Sequence, residues 1–241
     1  MVSIKYLWKN SRRSRNPGVL GDHLLDWAGV ILAKLLISMG ITPNQITLGG
    51  ILIGLIGISL ISFSSFFIAT LGYILLLFYW VTDYTDGVVA RYYNIVSDKG
   101  NYYDNIGHFV TPFIFLAVGI HIFNNYGYTS AIIMGAITSI IFLSIDTNTK
   151  IISSITKKKE QAYLKISGKS LKKRLLTYHK RITFCMHIIV FFFCAEILTF
   201  LFKINFNYYL LIFYLVVFIV TLLLQIFIYS QKLTIPRSNS E

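Results

Sequence analysis

Apolar runs separated by short polar stretches set the rhythm of this chain. Six of them, Ile46–Phe66, Ile68–Ala90, Asp104–Phe123, Ser130–Ile145, Ile182–Phe202 and Tyr208–Tyr229, are long enough to cross a hydrocarbon core of ~30 Å as helices, the fourth being the shortest. The two-residue alternation of a membrane β-barrel is absent, so each run satisfies its backbone hydrogen bonds as a helix. The pattern predicts an all-α fold, a six-transmembrane-helix bundle.

A different pattern precedes the first run. Leu24, Leu25, Ala28, Ile31, Leu32, Leu35 and Leu36 recur at helical spacing, while Asp22, His23, Asp26 and Lys34 leave part of the surface polar, with Asp22 as N-cap. This is expected to be an amphipathic helix over Asp22–Ser38 lying in the membrane interface. Residues 1–20 read as basic and irregular, and Arg12, Arg13 and Arg15 suit an anionic lipid surface at about 1 kcal/mol per charge. Thr42 as N-cap, Pro43 at the first helical position and Gln45 at the third start the first span. Gly49, Gly50, Gly54 and Gly57 then allow a close helix approach. The expected organisation is a basic N-terminus and interfacial helix over 1–42, a six-helix transmembrane catalytic domain over 43–231 with a basic loop at 147–181, and a polar tail over 232–241.

Composition agrees. Of 241 residues, 55% are hydrophobic and 13% charged, where a soluble domain carries about 25% charge. The net charge of +12 comes from Lys and Arg gathered before the first run, between the second and third, between the fourth and fifth, and after the sixth, while Lys203 alone stands on the other side. That positive-inside distribution is expected to place both termini in the cytoplasm and the chain as a multi-pass integral membrane protein, in the inner or plasma membrane if the source is bacterial. It accounts for the basicity about twice as readily as a grip on an anionic acceptor by the loop after Asp146, and no nucleic-acid partner is expected. No cleavable signal peptide is apparent. Cys185 and Cys194 fall in one span and read as apolar filler.

The chemistry concentrates at one place. Asp83, Asp86, Gly87 and Ala90 share a helix face, and Gly100, Asp104 and His108 share one on the next helix. An ionisable side chain at mid-span costs about 2.5–3.5 kcal/mol on insertion scales, so such a cluster calls for a function. Three carboxylates offer hard oxygen ligands for Mg²⁺, Mn²⁺ or Ca²⁺ rather than Zn²⁺. Gly87 and Ala90 leave room for a phosphate, and Arg91 is a cation able to grip it in bidentate fashion. A buried ion-pair network is the plain alternative, but one cation does not neutralise three carboxylates.

The pattern D-x-x-D-G-x-x-A-R, eight residues, then G-x-x-x-D-x-x-x-D resembles the signature of the CDP-alcohol phosphatidyltransferases, and Asp83 through Asp104 reproduces it with the spacing intact. The surface helix, the Thr-Pro-Asn start of the first span and the signature bridging spans two and three are similar to the family as well. The resemblance implies that Asp83, Asp86 and Asp104 hold a two-metal Mg²⁺ or Mn²⁺ site. It implies that Asn44, Thr47, Gly87, Ala90, Arg91, Ser97 and Gly100 line the pocket of the CDP donor, CDP-diacylglycerol or another CDP-alcohol. Asn44 and Thr47 read equally well as helix-start residues, and Ser97 rests on position alone. The last signature position departs from the family: His108 stands where an Asp is assigned as base on the acceptor hydroxyl. An imidazole still takes a proton near neutral pH, while the lost carboxylate charge weakens the second metal. Homodimerisation and membrane lipids as partners are implied too. Two other functions remain open: a catalytically impaired CDP-lipid-binding membrane protein, kept alive by His108, and a cation-coupled transporter, which would show interrupted helices and inverted repeats around a midplane site. Glu196 either faces the acceptor cavity or pairs across a dimer, with His187 its nearest candidate partner; Asp146 is a weaker acceptor-site candidate, and His121 and His179 read as bystanders.

Overall fold

A computed structural model describes residues 3–10, 20–95, 98–163 and 185–233. The described residues form helices α1 (Ile4–Asn10), α2 (Leu20–Ser38), α3 (Pro43–Ile61), α4 (Phe66–Tyr93), α5 (Asp98–Gly107), α6 (Phe113–Tyr126), α7 (Thr129–Tyr163), α8 (Cys185–Phe202) and α9 (Phe206–Leu233), with no strand among them. Four helical segments, Pro43–Ile61, Phe66–Tyr93, Thr129–Thr149 and Phe206–Phe227, are long and apolar enough to cross a membrane, and Phe113–Tyr126 and His187–Phe202 are shorter apolar helices. Their outward faces carry residues such as Leu52, Leu55, Phe67, Leu223 and Phe227, as lipid contact requires.

Helix α4 is the centre, packed by α2, α3, α8 and α1. Its seam with α3 is made of glycines. A Cβ at Gly57 would stand 2.9 Å from the Gly72 carbonyl oxygen, and one at Gly72 only 2.6 Å from the Gly57 carbonyl oxygen. Gly50 and Gly54 meet Thr82 and Tyr79 in the same way, whereas Gly49 has nothing within 4 Å. The start of α3 follows its sequence: Pro43 opens it, and the Gln45 side-chain oxygen accepts from the Thr42 backbone N–H and hydroxyl, each at 2.9 Å. A second tight seam joins α6 to α7 at Gly119 and Gly135, and Phe115 gathers Phe142, Phe192, Tyr214 and Phe218 from α7, α8 and α9 around its ring at 5.4–6.0 Å.

Several expectations change. The span expected over Asp104–Phe123 is not one helix: α5 ends at Gly107, residues 108–112 make turns with i→i−3 bonds such as Val110 N–H to Gly107 O at 2.9 Å, and α6 begins after Pro112. Pro112 has no N–H to continue a helix, and its carbonyl is taken up by the Ser139 hydroxyl at 2.8 Å. The first span stops at Ile61 rather than Phe66, at Ser62. The loop expected at 147–181 is helical as far as Tyr163, because α7 meets no glycine or proline between Ala136 and Tyr163. The N-terminal 20 residues are not wholly irregular. Ile4, Leu7 and Trp8 share a face, and α1 forms with Leu7 fully buried against Val30, Ala33, Ile46, Val88 and Val89.

Helix α2 departs from expectation at single positions. Asp22 lies within the helix rather than at its N-cap, and Asp26 is buried beside Leu25, Val30 and Ala33 on the side facing α4, where Gly29 meets Tyr84. Trp27, Ile31 and Leu35, four residues apart, are exposed.

Glu196 and His121 need a correction of a different kind. His121 is no bystander: its Nε2 lies 3.3 Å from Glu196 Oε2, and its Nδ1–H donates to the Phe63 carbonyl at 2.6 Å. Asn207 Nδ2 also donates to Glu196. Glu196 thus pairs within its own chain, and all three residues are at most 3% exposed. Together they tie the α3–α4 turn to α6, α8 and α9. Removing one member of a buried polar pair strands the other, so Glu196→Ala is expected to lower stability on the order of 3 kcal/mol, read as a fall in Tm of the detergent-solubilised protein. Glu196→Gln, which keeps hydrogen-bonding oxygen for Asn207, is expected to lose less; equal losses would contradict the network.

Candidate active site

At the opposite end of α4 a cavity of about 540 Å³ opens to solvent, within the usual range for small-molecule sites. Helix α4 supplies Asp83, Asp86, Gly87, Ala90 and Arg91 to its wall. The first turns of α3 add Asn44 and Thr47, and α5 adds Gly100 and Asp104. Sequence spacing placed these residues on separate helix faces, and the fold brings them to one cavity. With 28 residues at 1.5 Å each, α4 is about 42 Å long, against ~30 Å for a hydrocarbon core, and its acidic turns lie in its C-terminal half.

Each carboxylate is held differently. Asp86 is half-buried and accepts a hydrogen bond from the Thr47 hydroxyl, which also lies 3.1 Å from the Pro43 carbonyl. The charges of Asp83 and Asp104 both act on it. Asp104 is exposed, with about half of its side chain open to solvent, and stands on α5. The Tyr79 hydroxyl, buried in the α3–α4 seam, ties α5 down by donating to the Gly107 carbonyl at 2.7 Å. Gly87 is the floor under Arg91: a Cβ there would come within 3.2–3.3 Å of the guanidinium nitrogens.

One of the expected site residues does not join the wall. His108 lies one turn beyond Asp104, its Nε2 3.8 Å from Asp104 Oδ2, beside the cavity rather than among its lining residues. Ser97 falls outside the described residues, as do His179 and the basic stretch around it. Asp146 is on α7 and is not part of the cavity wall. Conversely, Asn10, Asn94 and Ile95 line the cavity and escaped the sequence reading. Asn94 had a signal: it ends α4 in the left-handed conformation (φ 54°, ψ 33°), a C-terminal role to which Asn is suited. Asn10 had only the Ile4, Leu7, Trp8 periodicity that makes α1 a helix.

Does this donor set suit a divalent cation? Three carboxylates from two helices share one solvent-open cavity, with no thiolate or imidazole in its wall. Hard oxygen donors of this kind match Mg²⁺ or Mn²⁺. Among the described residues no three such groups are already drawn to the spacing of a closed cage, so the fit rests on donor chemistry and the shared cavity. The arrangement can gather cations against a polyphosphate, with Arg91 as a further positive charge.

A comparison with models of known families finds one match, CDP-alcohol phosphatidyltransferase, over residues 40–227. That stretch holds every residue of the cavity wall except Asn10. No curated protein matches the chain.

Tyr79→Phe keeps the ring in its seam but removes its hydrogen bond to the Gly107 carbonyl, which keeps the Val110 N–H as a donor. The expected result is a loss of about 0.5–1.5 kcal/mol in stability, measured by thermal unfolding, with α5 more readily exchanged in hydrogen–deuterium exchange than α3. Unchanged protection over Asp98–Gly107 would show that Tyr79 does not hold α5.

Proposed function

The chain belongs to the CDP-alcohol phosphatidyltransferase family, and from that we propose that it moves a phosphoalcohol group, the phosphatidyl group first among them, from a CDP-linked donor to an acceptor hydroxyl with release of CMP, in the synthesis of a phospholipid or related conjugate. The observation that carries this is the convergence of Asp83, Asp86, Asp104 and Arg91 on one solvent-open cavity at the end of α4. In this reading α5 and α6 together make the third of six crossings, both termini are cytoplasmic, and the cavity faces the cytosol.

Asp83, Asp86 and Asp104 would hold Mg²⁺ or Mn²⁺, which would supply charge neutralisation for the pyrophosphate and the leaving CMP. The chain's own groups do the rest. Thr47 fixes the Asp86 carboxylate by its hydrogen bond, and Gly87 leaves the space in which Arg91 lies over the helix, so that the guanidinium grips a phosphate oxygen. His108 takes the proton of the acceptor hydroxyl. The acceptor oxygen then forms a bond to the phosphorus bearing the alcohol, and the bond from that phosphorus to the bridging oxygen breaks, the bridging oxygen leaving with CMP. Asn44, Ala90 and Gly100 shape the donor pocket.

The place of His108 beside the cavity, 3.8 Å from Asp104, favours a second reading in which it only orients Asp104. The pH dependence separates the two. A base must be deprotonated to act, so rate rises with pH through its titration, and an ordinary carboxyl titrates well below an ordinary imidazole. If His108 is the base, His108→Asp stays active with the acid limb of its rate profile moved to lower pH, and His108→Ala loses about 10²–10⁴-fold in kcat. If it only orients Asp104, the limb does not move.

The test of the function itself is CMP release by the purified protein from CDP-diacylglycerol with Mg²⁺ or Mn²⁺ and a panel of hydroxyl acceptors. Metal-dependent release is expected, abolished by Asn at Asp83, Asp86 or Asp104. Release that survives any of these substitutions, or that ignores chelator, would remove the assignment. Thr47→Val is expected to weaken metal binding, raising the Mg²⁺ needed for half-maximal rate, while Thr47→Ser retains the parent value.

A further inference from the structure

We propose that α1 forms part of the donor site and that Asn10, together with Asn94, holds the nucleoside half of the CDP donor; this rests on the function proposed above. Asn10 ends α1 and lines the cavity alongside Asn94. Its position is anchored, because Leu7 is fully buried against α2, α3 and α4, and Tyr6 meets Tyr92 of α4 edge to face at 6.4 Å. The helix is thus fixed to the last turns of α4, where Arg91 and Asn94 lie.

Position along α4 says which part of a substrate belongs there. At 1.5 Å per residue, Asn94 stands about 12 Å along the helix from Asp86. Along α4, Asp83 and Asp86 therefore lie toward one end of the cavity and Asn94, with Asn10 of the helix packed there, toward the other, while Asn44, the third carboxamide of the wall, stands on the first turn of α3. A CDP-alcohol has a charged pyrophosphate in its middle, an alcohol moiety on one side and a water-soluble nucleoside on the other. Its pyrophosphate belongs with the carboxylate-held cations. A lipid-bearing alcohol must run toward the apolar spans, which leaves the nucleoside for the solvent-facing end at Asn10 and Asn94. The chemistry agrees. A carboxamide presents one donor and one acceptor edge without charge, as the amine, ring nitrogen and carbonyl of a pyrimidine require.

The experiment uses the full chain in detergent with Mg²⁺, measuring CMP binding by calorimetry and the KM values for CDP-diacylglycerol and for the acceptor. Asn10 is exposed, so Asn10→Ala is expected to fold with an unchanged Tm. It should weaken CMP and raise the donor KM about tenfold, the loss of one or two hydrogen bonds, with kcat and the acceptor KM unchanged. Asn94→Gly, which keeps the left-handed backbone while removing the carboxamide, should act in the same direction. If the parent binds CMP and both variants bind it equally, the proposal is overturned while the function stands. A change in the acceptor KM alone also overturns it. A parent that binds no CMP removes the function and this inference together.

Discussion

The whole arrangement depends on how closely α3 and α4 approach. Without side chains at Gly50, Gly54, Gly57 and Gly72, the two backbones come near enough for carbonyls to meet glycine Cα atoms. Lipid gives apolar helices no hydrophobic reason to associate, so contact of this kind and interhelical hydrogen bonds are what hold them. The seam runs down α4 to the point where Thr47 of α3 reaches Asp86. The same seam buries Tyr79, whose hydroxyl holds the end of α5 and with it the helix that carries Asp104. Close packing in the apolar part of the molecule thus sets the positions of the polar groups beyond it.

Two polar clusters sit at the ends of α4, and their contrast is instructive. His121, Glu196 and Asn207 are buried and bonded to one another. That cluster joins four elements, with each of its three residues buried. Asp83, Asp86 and Asp104 share a cavity open to solvent, with an Arg and three Asn side chains in its wall. Burial with internal partners reads as structure, whereas carboxylates gathered where water and solutes reach them read as chemistry.

Much of the site was legible in the sequence because its residues lie close together in the chain and on regular helix. Spacing of three, four and seven put Asp83, Asp86, Gly87 and Ala90 on one face, and the fold needed only to bring α5 and the start of α3 beside it. The family match over residues 40–227 agrees with the resemblance those residues carried. What was not legible depended on tertiary placement. Nothing local says that Asn10, more than thirty positions before Thr47, returns to the same cavity, since the burial of Leu7 and the Tyr6–Tyr92 contact bring it there. Asp26 looked like part of a polar face, but it is buried toward α4 among apolar residues. Glu196 had its partner in His121, 75 positions earlier in the chain, a pairing no helical periodicity encodes. Local turn chemistry also decided the broken third span: Gly107 and Pro112 were visible in the sequence, but the apolar residues around them masked the break.

The central claim is that the acidic groups of α4 and α5 act as one cation site. It is tested most directly by titrating Mn²⁺ into the purified protein and following the loss of the free-ion signal by electron paramagnetic resonance. Saturable binding in the parent, lost in Asp86→Asn and in Asp104→Asn alike, is the expected result, because the two side chains come from different helices and serve the same ion. Binding that is absent in the parent, or that survives both substitutions undiminished, would contradict the account.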